Sequence, residues 1–469
     1  MAYKSVNPWN NEVIKEYQYS TDEEVQKAIA DGHALYISWR NDPVSSRSQR
    51  LHNLADYLEK HTDEIAEIMT KEMGKLFKEA QGEVALSVII ARYYANNAER
   101  ILSPEKIDSV MGDAQVISRP TGVILSVEPW NFPLYQIIRV FAPNFMAGNP
   151  VILKHADITP GSAAAFEKAV KESEMPRGSF KNLYATNQQV DDILADPRVT
   201  GLAFTGSERV GKIVGSEAGS HLKKSTLELG GSDPLIILED ADLTELNKVL
   251  KQTRLYNSGQ VCVSSKRLIV TENNYDRVLK MYINGFKEVK EVGDPMDPNT
   301  SFAPLSSVRS KNILVDQVKK AIEGGAKIAY GNLDEDATTA HFMPIILTDM
   351  KPDNPMFYTE FFGPVGIIIG VKNEEEAIEK ANNSTYGLSG IVFSGSAAHG
   401  TEVASQIETG SVYVNSYGGT LPELPFGGVK NSGYGRELGD EGIKAFVNQE
   451  LIVTRHEPID LNDTTGGFL

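Results

Sequence analysis

From residue 121 onward, short apolar runs alternate with amphipathic stretches, and this alternation limits the architectures open to the chain. The runs are TGVILSV, PVILK and GLAFTG, then PLIIL, RLIVT, VGIIIGV, SGIVFSG and SVYVN. Each has the length and β-branched content of a strand bounded by turn or charged residues. Strands that are apolar on both faces and separated by helical segments build parallel sheets covered by helices, so the fold class is α/β. Residues 20 to 100 read differently. Leu51, Leu54, Leu58, Ile65, Ile68 and Met69 recur near the helical period between charged positions, which predicts a helical packing layer. At 469 residues the chain exceeds what one core can organise, and two large lobes with a smaller appended element are expected.

Composition closes off several functions. The formal net charge of −17 disfavours nucleic acid and anionic membrane surfaces as partners. No apolar run approaches the ~18 residues of a membrane span. The start MAYKSVNPWNNEV lacks the charged-then-apolar order of a signal peptide, so a cytoplasmic address is expected. One cysteine excludes a disulfide within the sequence and any cysteine-rich metal site, and the histidines show no spacing such as HExxH; no metal is expected. Thiol chemistry, if there is any, belongs to Cys262.

Five segments carry chemical potential. NSGQVCVSSKR puts Cys262 in a glycine-containing turn ahead of an apolar strand, where a thiol can stand clear of the core. Flanked by Val261 and Val263, it also reads as an inert small hydrophobe, the commoner fate of a lone cysteine. TLELGGSDP ends an apolar strand at Glu228 beside Gly230 and Gly231. A tight, partly desolvated turn raises a carboxyl pKa and suits a general base; the plainer reading has Glu228 bonding turn amides or capping a helix. The glycine pair implies that something approaches the backbone closely. In EPWNFPLYQIIR two prolines hold Trp130 to Phe132 in a non-helical turn, presenting Asn131 either as a donor to an oxyanion or as the centre of an Asx turn. FTGSERVG sets Gly206, Ser207 and Gly211 between a strand and a helix start, where amides favour a pyrophosphate, although this is no GxGxxG fingerprint. Lastly, a strand at Val151 to Leu153 leads through Lys154 to Ile158 into a helix with Thr159 as cap and Pro160 first, so the loop lies at a strand's carboxyl end, where open α/β sheets bind ligands.

PWNFP, FTGS, LELGG, GQVC, EFFGPV and PFGGVKNSGYGRE stand in one order over nearly the whole chain. In this combination the sequence resembles the aldehyde dehydrogenase superfamily, and ELGGSDP with LKHA is similar to its bacterial succinate-semialdehyde dehydrogenase branch, which carries serine where most relatives have lysine. The resemblance implies a Rossmann-type dinucleotide-binding domain of residues 1–111 and 130–228 and an α/β catalytic domain of 229–438. It also implies a small β oligomerisation arm of 112–129 and 439–469, in a homodimer or homotetramer. It makes Cys262 the nucleophile, Glu228 the general base, and Asn131 with the Cys262 amide the oxyanion hole. Trp130, Lys154, Asp157, Gly206, Ser207, Val210, Leu229, Glu360 and Phe362 match positions that hold the dinucleotide. Tyr135, Arg139, Val261, Val263 and Phe426 match the aldehyde tunnel.

Arg139 stands where semialdehyde-acid members carry arginine, to hold a distal carboxylate; an ion pair facing solvent or another subunit is the alternative. Some such members have a second arginine six residues before the nucleophile. Here Tyr256 occupies that place, which shifts weight onto Arg139 and the loop Ser416 to Thr420. Asp157, expected beside the adenosine ribose, favours NAD by repelling a 2′-phosphate, while Lys154 and His155 leave some NADP use open. NLYATNQQVDD lacks the glycine-rich loop of many relatives, so adenine contacts do not carry over. The activity implied is oxidation of a small aldehyde to a carboxylic acid, succinate semialdehyde to succinate foremost. The alternatives are a broad dehydrogenase of short aliphatic or aromatic aldehydes and a binding protein that kept the fold without turnover. The polar tail IDLNDTTGGFL is expected to fray unless a partner subunit holds it.

Overall fold

The apolar runs after residue 121 form two mainly parallel sheets, as their two-sided hydrophobicity requires. A computed structural model describes residues 3–334 and 336–456; the expectation for the tail falls outside them. The first sheet has six strands in the spatial order Gly433–Tyr434, Lys224–Glu228, Val199–Thr205, Val123–Glu128, Val151–His155 and Phe180–Asn182, all parallel except the first. After Val123–Glu128 the chain proceeds to one side of the sheet, then returns to build the other side from Val199–Thr205 onward. The strand order therefore reverses between these two strands, and a crevice opens at their carboxyl ends. Trp130 and Asn131 follow one strand and Gly206 and Ser207 follow the other.

From Glu228 the chain crosses directly to the second sheet through Leu229 to Ser232. This sheet orders Lys327–Tyr330, Ile345–Thr348, Val365–Val371, Ser265–Thr271, Asp233–Ile237, Ser389–Phe393 and Ser411–Val414, again parallel but for the first. The crossing is short, so the carboxyl end of one sheet faces the amino end of the other. Cys262 and Glu360 precede strands of the second sheet and so meet residues that follow strands of the first.

The helical layer consists of Asp22–Trp39, Ser48–Lys60, Thr62–Met73 and Phe77–Ile101. Leu51, Leu54, Leu58, Ile65 and Met69 pack in one core with the helix Pro133–Ala147, whose every residue is buried; Ile68 is half-buried. That helix starts on Pro133, and its first amides, Leu134 N and Tyr135 N, donate to the buried carboxylate of Glu83 at 2.8 and 3.0 Å. The helix Pro160–Glu172 is capped in the same way from a distance. Thr159 stands at the predicted cap, but its hydroxyl bonds His155, and Glu72 accepts from Gly161 N and Ser162 N instead.

Three strands, Val447–Thr454, Asp113–Pro120 and Glu105–Ile107, form a separate antiparallel sheet. The arm expected at 112–129 is thus shorter. Val123–Glu128 runs in the middle of the six-stranded sheet, because an apolar strand buries more surface between two neighbours than in a projecting arm. Among the described residues no helix is long and apolar enough to cross a membrane, and no group of three or more His, Cys, Asp or Glu could hold a metal ion.

Candidate active site

The loop that carries Cys262 enters through three consecutive left-handed residues, Asn257, Ser258 and Gly259, with φ of 50°, 52° and 75°. Asparagine and glycine accept this conformation readily, whereas serine must be held there. Ser258 Oγ donates to Ala303 O at 2.8 Å, and Asn257 Nδ2 donates to Asn131 O at 2.9 Å. Gln260 Oε1 accepts from Ser306 N at 2.8 Å. The loop is then fastened by Arg254, whose guanidinium is fully buried. It donates to Gly259 O and Ser264 Oγ on either side of Cys262, and to Phe361 O, Gly363 O and Val365 O in the EFFGPV segment. One side chain therefore ties the thiol loop to the segment that carries Glu360 and Phe362.

Cys262 is half-buried and lies where two cavities meet. The first, about 410 Å³, is walled by Phe132, Tyr135, Arg139, Tyr256, Val261, Val263 and Phe426 and by the loop Tyr417 to Thr420. The second, about 590 Å³, is the crevice at the strand reversal. Trp130, Asn131, Lys154, Asp157, Gly206, Ser207, Leu229, Glu360 and Phe362 all line it. Among the described residues only Cys262 and Gln136 line both. A thiol at such a junction is not sealed in hydrocarbon and is open to both cavities. Asn131 makes no local Asx turn: its Nδ2 donates across to Gln260 O at 3.1 Å, which leaves one amide hydrogen for a ligand beside Cys262.

What approaches the glycine pair is now visible. A side chain at Gly231 would bring its Cβ within 2.8 Å of Cys262 O, and one at Gly230 would collide with Glu360 Oε2. Glu360 in turn accepts from Gly231 N at 3.1 Å. Trp130 and Phe362 meet edge to face, with ring centroids 5.6 Å apart at the crevice wall. The crevice suits a dinucleotide phosphate by its donors: the Lys154 and Arg309 side chains, and Ser207 at the start of the helix Glu208–Ser220.

Glu228 lines neither cavity. Its carboxylate is buried against Gly427, and neither oxygen has a hydrogen-bond partner among the described residues. No turn amide bonds it and it caps no helix, against the plainer reading. Three buried carboxylates, Glu128, Glu228 and Glu437, surround the Arg139 guanidinium. Arg139 pairs with Glu437 and donates to Thr205 Oγ1 at 3.0 Å, while its plane lies over the rings of Tyr135 and Phe426. It lines the first cavity, and its ion pair is buried within the chain; the alternative expected, an ion pair facing solvent or another subunit, is not what forms. Three carboxylates cannot all ionise around one cation in a dry interior. Burial holds Glu228 well above the ordinary carboxylate range, and repulsion from Glu437 adds to this.

Val210 is half-buried against the core, and its amide donates to Ser207 Oγ at the start of the helix Glu208–Ser220. His155 is buried between Pro133 O and Thr159, and burial lowers its pKa to about 4, so it is no phosphate partner. Gln136, Arg309, Arg254, Glu128 and Glu437 were not singled out. Glu437 stands inside the quoted GYGRE segment and Glu128 and Gln136 inside EPWNFPLYQIIR, but nothing in the sequence marks Arg254 or Arg309, whose neighbours in the site are distant along the chain.

One accessible thiol thus stands between a crevice at the strand reversal, lined by phosphate-type donors, and a mainly apolar cavity, an arrangement that suits a two-substrate enzyme. Residues 1–452 match the aldehyde dehydrogenase family, and the chain belongs to it; it is an NAD(P)-dependent aldehyde dehydrogenase. It is 40% identical over 450 residues to an NADP(+) succinate-semialdehyde dehydrogenase of Deinococcus radiodurans, covering 96% of this chain and 94% of that protein. The fold is similar to the crystal structure of succinic semialdehyde dehydrogenase from Streptococcus pyogenes in complex with NADP+, with a TM-score of 0.95, 50% identity, and 97% and 100% of the two chains covered. It is also similar to betaine aldehyde dehydrogenase of Staphylococcus aureus in complex with NAD+, with a TM-score of 0.92, 28% identity, and 99% and 94% covered.

These relatives correct the expected preference for NAD. The Deinococcus protein is named for NADP(+), as is one of Mycobacterium avium, and the 50% identical structure holds NADP+. The Asp157 carboxylate is exposed and bound to Lys154 Nζ at 2.8 Å. A screened, neutralised carboxylate repels a 2′-phosphate weakly.

Proposed function

We propose that the protein oxidises succinate semialdehyde to succinate with NADP+. The observation that carries this reading is the position of Cys262, shared by a crevice with phosphate donors and a cavity whose one charged lining residue is Arg139. The names of the relatives support the same substrate and coenzyme. Arg139 keeps donors beyond those used by Glu437 and Thr205, and the hydroxyls of Tyr135, Tyr256 and Thr420 share the cavity, so a distal carboxylate is met by several polar groups.

In this reading the Cys262 thiolate, its proton already released to solvent, attacks the aldehyde carbon, and the C=O π pair moves onto oxygen as the C–S bond forms. The oxygen that becomes anionic takes hydrogen bonds from Asn131 Nδ2 and the Cys262 amide. NADP+, when bound in the crevice, supplies the acceptor for the hydride of the aldehyde carbon. The thioester left on Cys262 is cleaved by water whose proton goes to Glu228. Glu228 rotates from its buried position beside Gly427 toward Cys262 for this step, and its two unpartnered oxygens leave few contacts to break. Glu228 also argues against transfer of the acyl group to another thiol, which a hydrolytic base would forestall.

The test is a panel of succinate semialdehyde, butanal and benzaldehyde, each with NADP+ and NAD+. Succinate semialdehyde with NADP+ should exceed butanal by about tenfold or more in kcat/KM, the scale of one buried charge-assisted contact. Equal efficiencies would leave a broad aldehyde dehydrogenase with a structural Arg139. No oxidation of any aldehyde would favour a binding protein.

A homo-oligomer completes the proposal. The strand Val447–Thr454 pairs along one edge only and exposes Leu451 and Val453, so its free edge is suited to a second copy. Light scattering should return a multiple of the 51.4 kDa chain mass; the single-chain mass would contradict it.

A further inference from the structure

Lys266 is fully buried and takes no part in the steps above. It stands on the strand Ser265–Thr271, and its Nζ donates to Val261 O at 2.7 Å and to Cys262 O. The same ammonium pairs with Glu360 Oε1 at 3.1 Å, across the crevice wall. Three acceptors thus converge on one cation: two carbonyls of the nucleophile loop and a carboxylate that lines the coenzyme crevice. Burying an ammonium is costly, and a methionine would fill the same space without that cost, so packing alone does not account for a lysine here.

We propose that Lys266 is a positioning residue that holds the Cys262 carbonyl in register and favours the anionic form of the sulfur, and that Glu360 opposes this by drawing on the same cation. The proposal deepens the function above, since it rests on Cys262 being the nucleophile. Four charged groups from four segments face the thiol: Lys266, Arg139 on the helix Pro133–Ala147, Glu360, and Asp233 at the start of its strand. Burial pushes the thiol up to about 11; Lys266 is the larger of the two cationic influences that pull it down, and Glu360 and Asp233 push it further up. With so high a value the thiolate is scarce at neutral pH, and each pKa unit gained or lost through the field of Lys266 changes the reactive fraction about tenfold. Glu360 lines the crevice, so a coenzyme hydroxyl that draws its carboxylate away from Lys266 would leave more of the cation's field on the sulfur. Coenzyme occupancy would then raise thiol reactivity without moving the backbone.

Cys262 is the one cysteine in the sequence, so alkylation by iodoacetamide reports on it alone. The rate is measured from pH 7 to 12.5 on the full chain for wild type, Lys266→Met, Lys266→Arg and Glu360→Gln, with and without NADP+, and the midpoint of each profile is read. A constant steric block by the coenzyme changes the amplitude, not the midpoint. Lys266→Met should shift the midpoint upward and slow alkylation at pH 8 about tenfold, the effect of one pKa unit. Lys266→Arg should stay near wild type, and Glu360→Gln should shift the midpoint downward. NADP+ should lower the midpoint in wild type and leave Glu360→Gln unmoved. A Lys266→Met profile that superimposes on wild type, or a Glu360→Gln shift in the same direction as Lys266→Met, overturns the proposal. If Lys266→Met does not fold, Glu360→Gln and the double variant Lys266→Met with Glu360→Gln decide, and an unmoved Glu360→Gln midpoint refutes it. No aldehyde is present, so a wrong substrate leaves these outcomes intact, while a thiol that tunes as described but supports no turnover would count against the proposed function alone.

Discussion

Cys262→Ala is expected to lose aldehyde oxidation by a factor on the order of 10⁴ or more, because the covalent route disappears with its only nucleophile. Glu228→Gln should separate the two halves of the reaction. Reduced coenzyme should still appear in a rapid burst of about one equivalent per site, followed by turnover slowed by roughly 10²-fold or more, the usual contribution of a general base. The pH dependence has a definite sign. Burial, then repulsion from Glu437, raises the Glu228 carboxyl, so the basic form is depleted at low pH and grows as pH rises. Steady-state turnover limited by thioester hydrolysis should therefore increase with pH in wild type, and Glu228→Gln should lose that slope while keeping its burst. Stopped-flow absorbance of the reduced nicotinamide measures both phases. Retained steady-state activity in the alanine variant would exclude Cys262, and a missing burst in the glutamine variant would place Glu228 before hydride transfer.

The second large effect is structural and falls on a residue that touches no substrate. Arg254→Met should destabilise the protein by about 3–5 kcal/mol, the cost of leaving several buried polar groups without their charged donor. The carbonyls of Phe361, Gly363 and Val365, together with Gly259 O and Ser264 Oγ, all lose a bond to this guanidinium. Burial depresses its pKa to about 10, so the cation is already costly, and it persists because five acceptors surround it. Lysine carries one point of charge in place of a planar fork and satisfies only part of this set, so Arg254→Lys should recover part of the loss. The check is thermal unfolding alongside KM for the coenzyme: a melting temperature within a degree of wild type would show that the guanidinium is dispensable.

The two effects are connected through the loop between them. Cys262 follows a segment in which Asn257 and Ser258 are held in left-handed backbone by bonds to Asn131 O and Ala303 O. Strain of this kind persists where the surroundings over-determine it. Arg254 supplies much of that determination, so its loss should slow turnover even in molecules that remain folded.

Several features were readable because they depend on local chemistry. The alternation of apolar runs after residue 121 reports strands buried on both faces, and those runs became the two sheets. The glycine pair after Glu228 signalled a close approach, and the partners turned out to be Cys262 O and Glu360. Other features were misread for equally local reasons. Asp157 looked like a guard against a 2′-phosphate, yet Lys154, three residues earlier near the end of the strand Val151–His155, pairs with it. Thr159 looked like the cap of its helix, but Glu72, far away in sequence, does that work.

Periodicity, turn residues and motif order in the sequence alone determined the fold class and the family, since each follows from neighbours within a few residues or from the order of segments. Only the tertiary structure decided how charge is distributed around the Cys262 thiol. Arg139 meets Glu437, Lys266 meets Glu360, and Glu228 sits among carboxylates instead of beside water, because buried ions must find partners wherever packing brings them, and that distance in space is not written as distance along the chain.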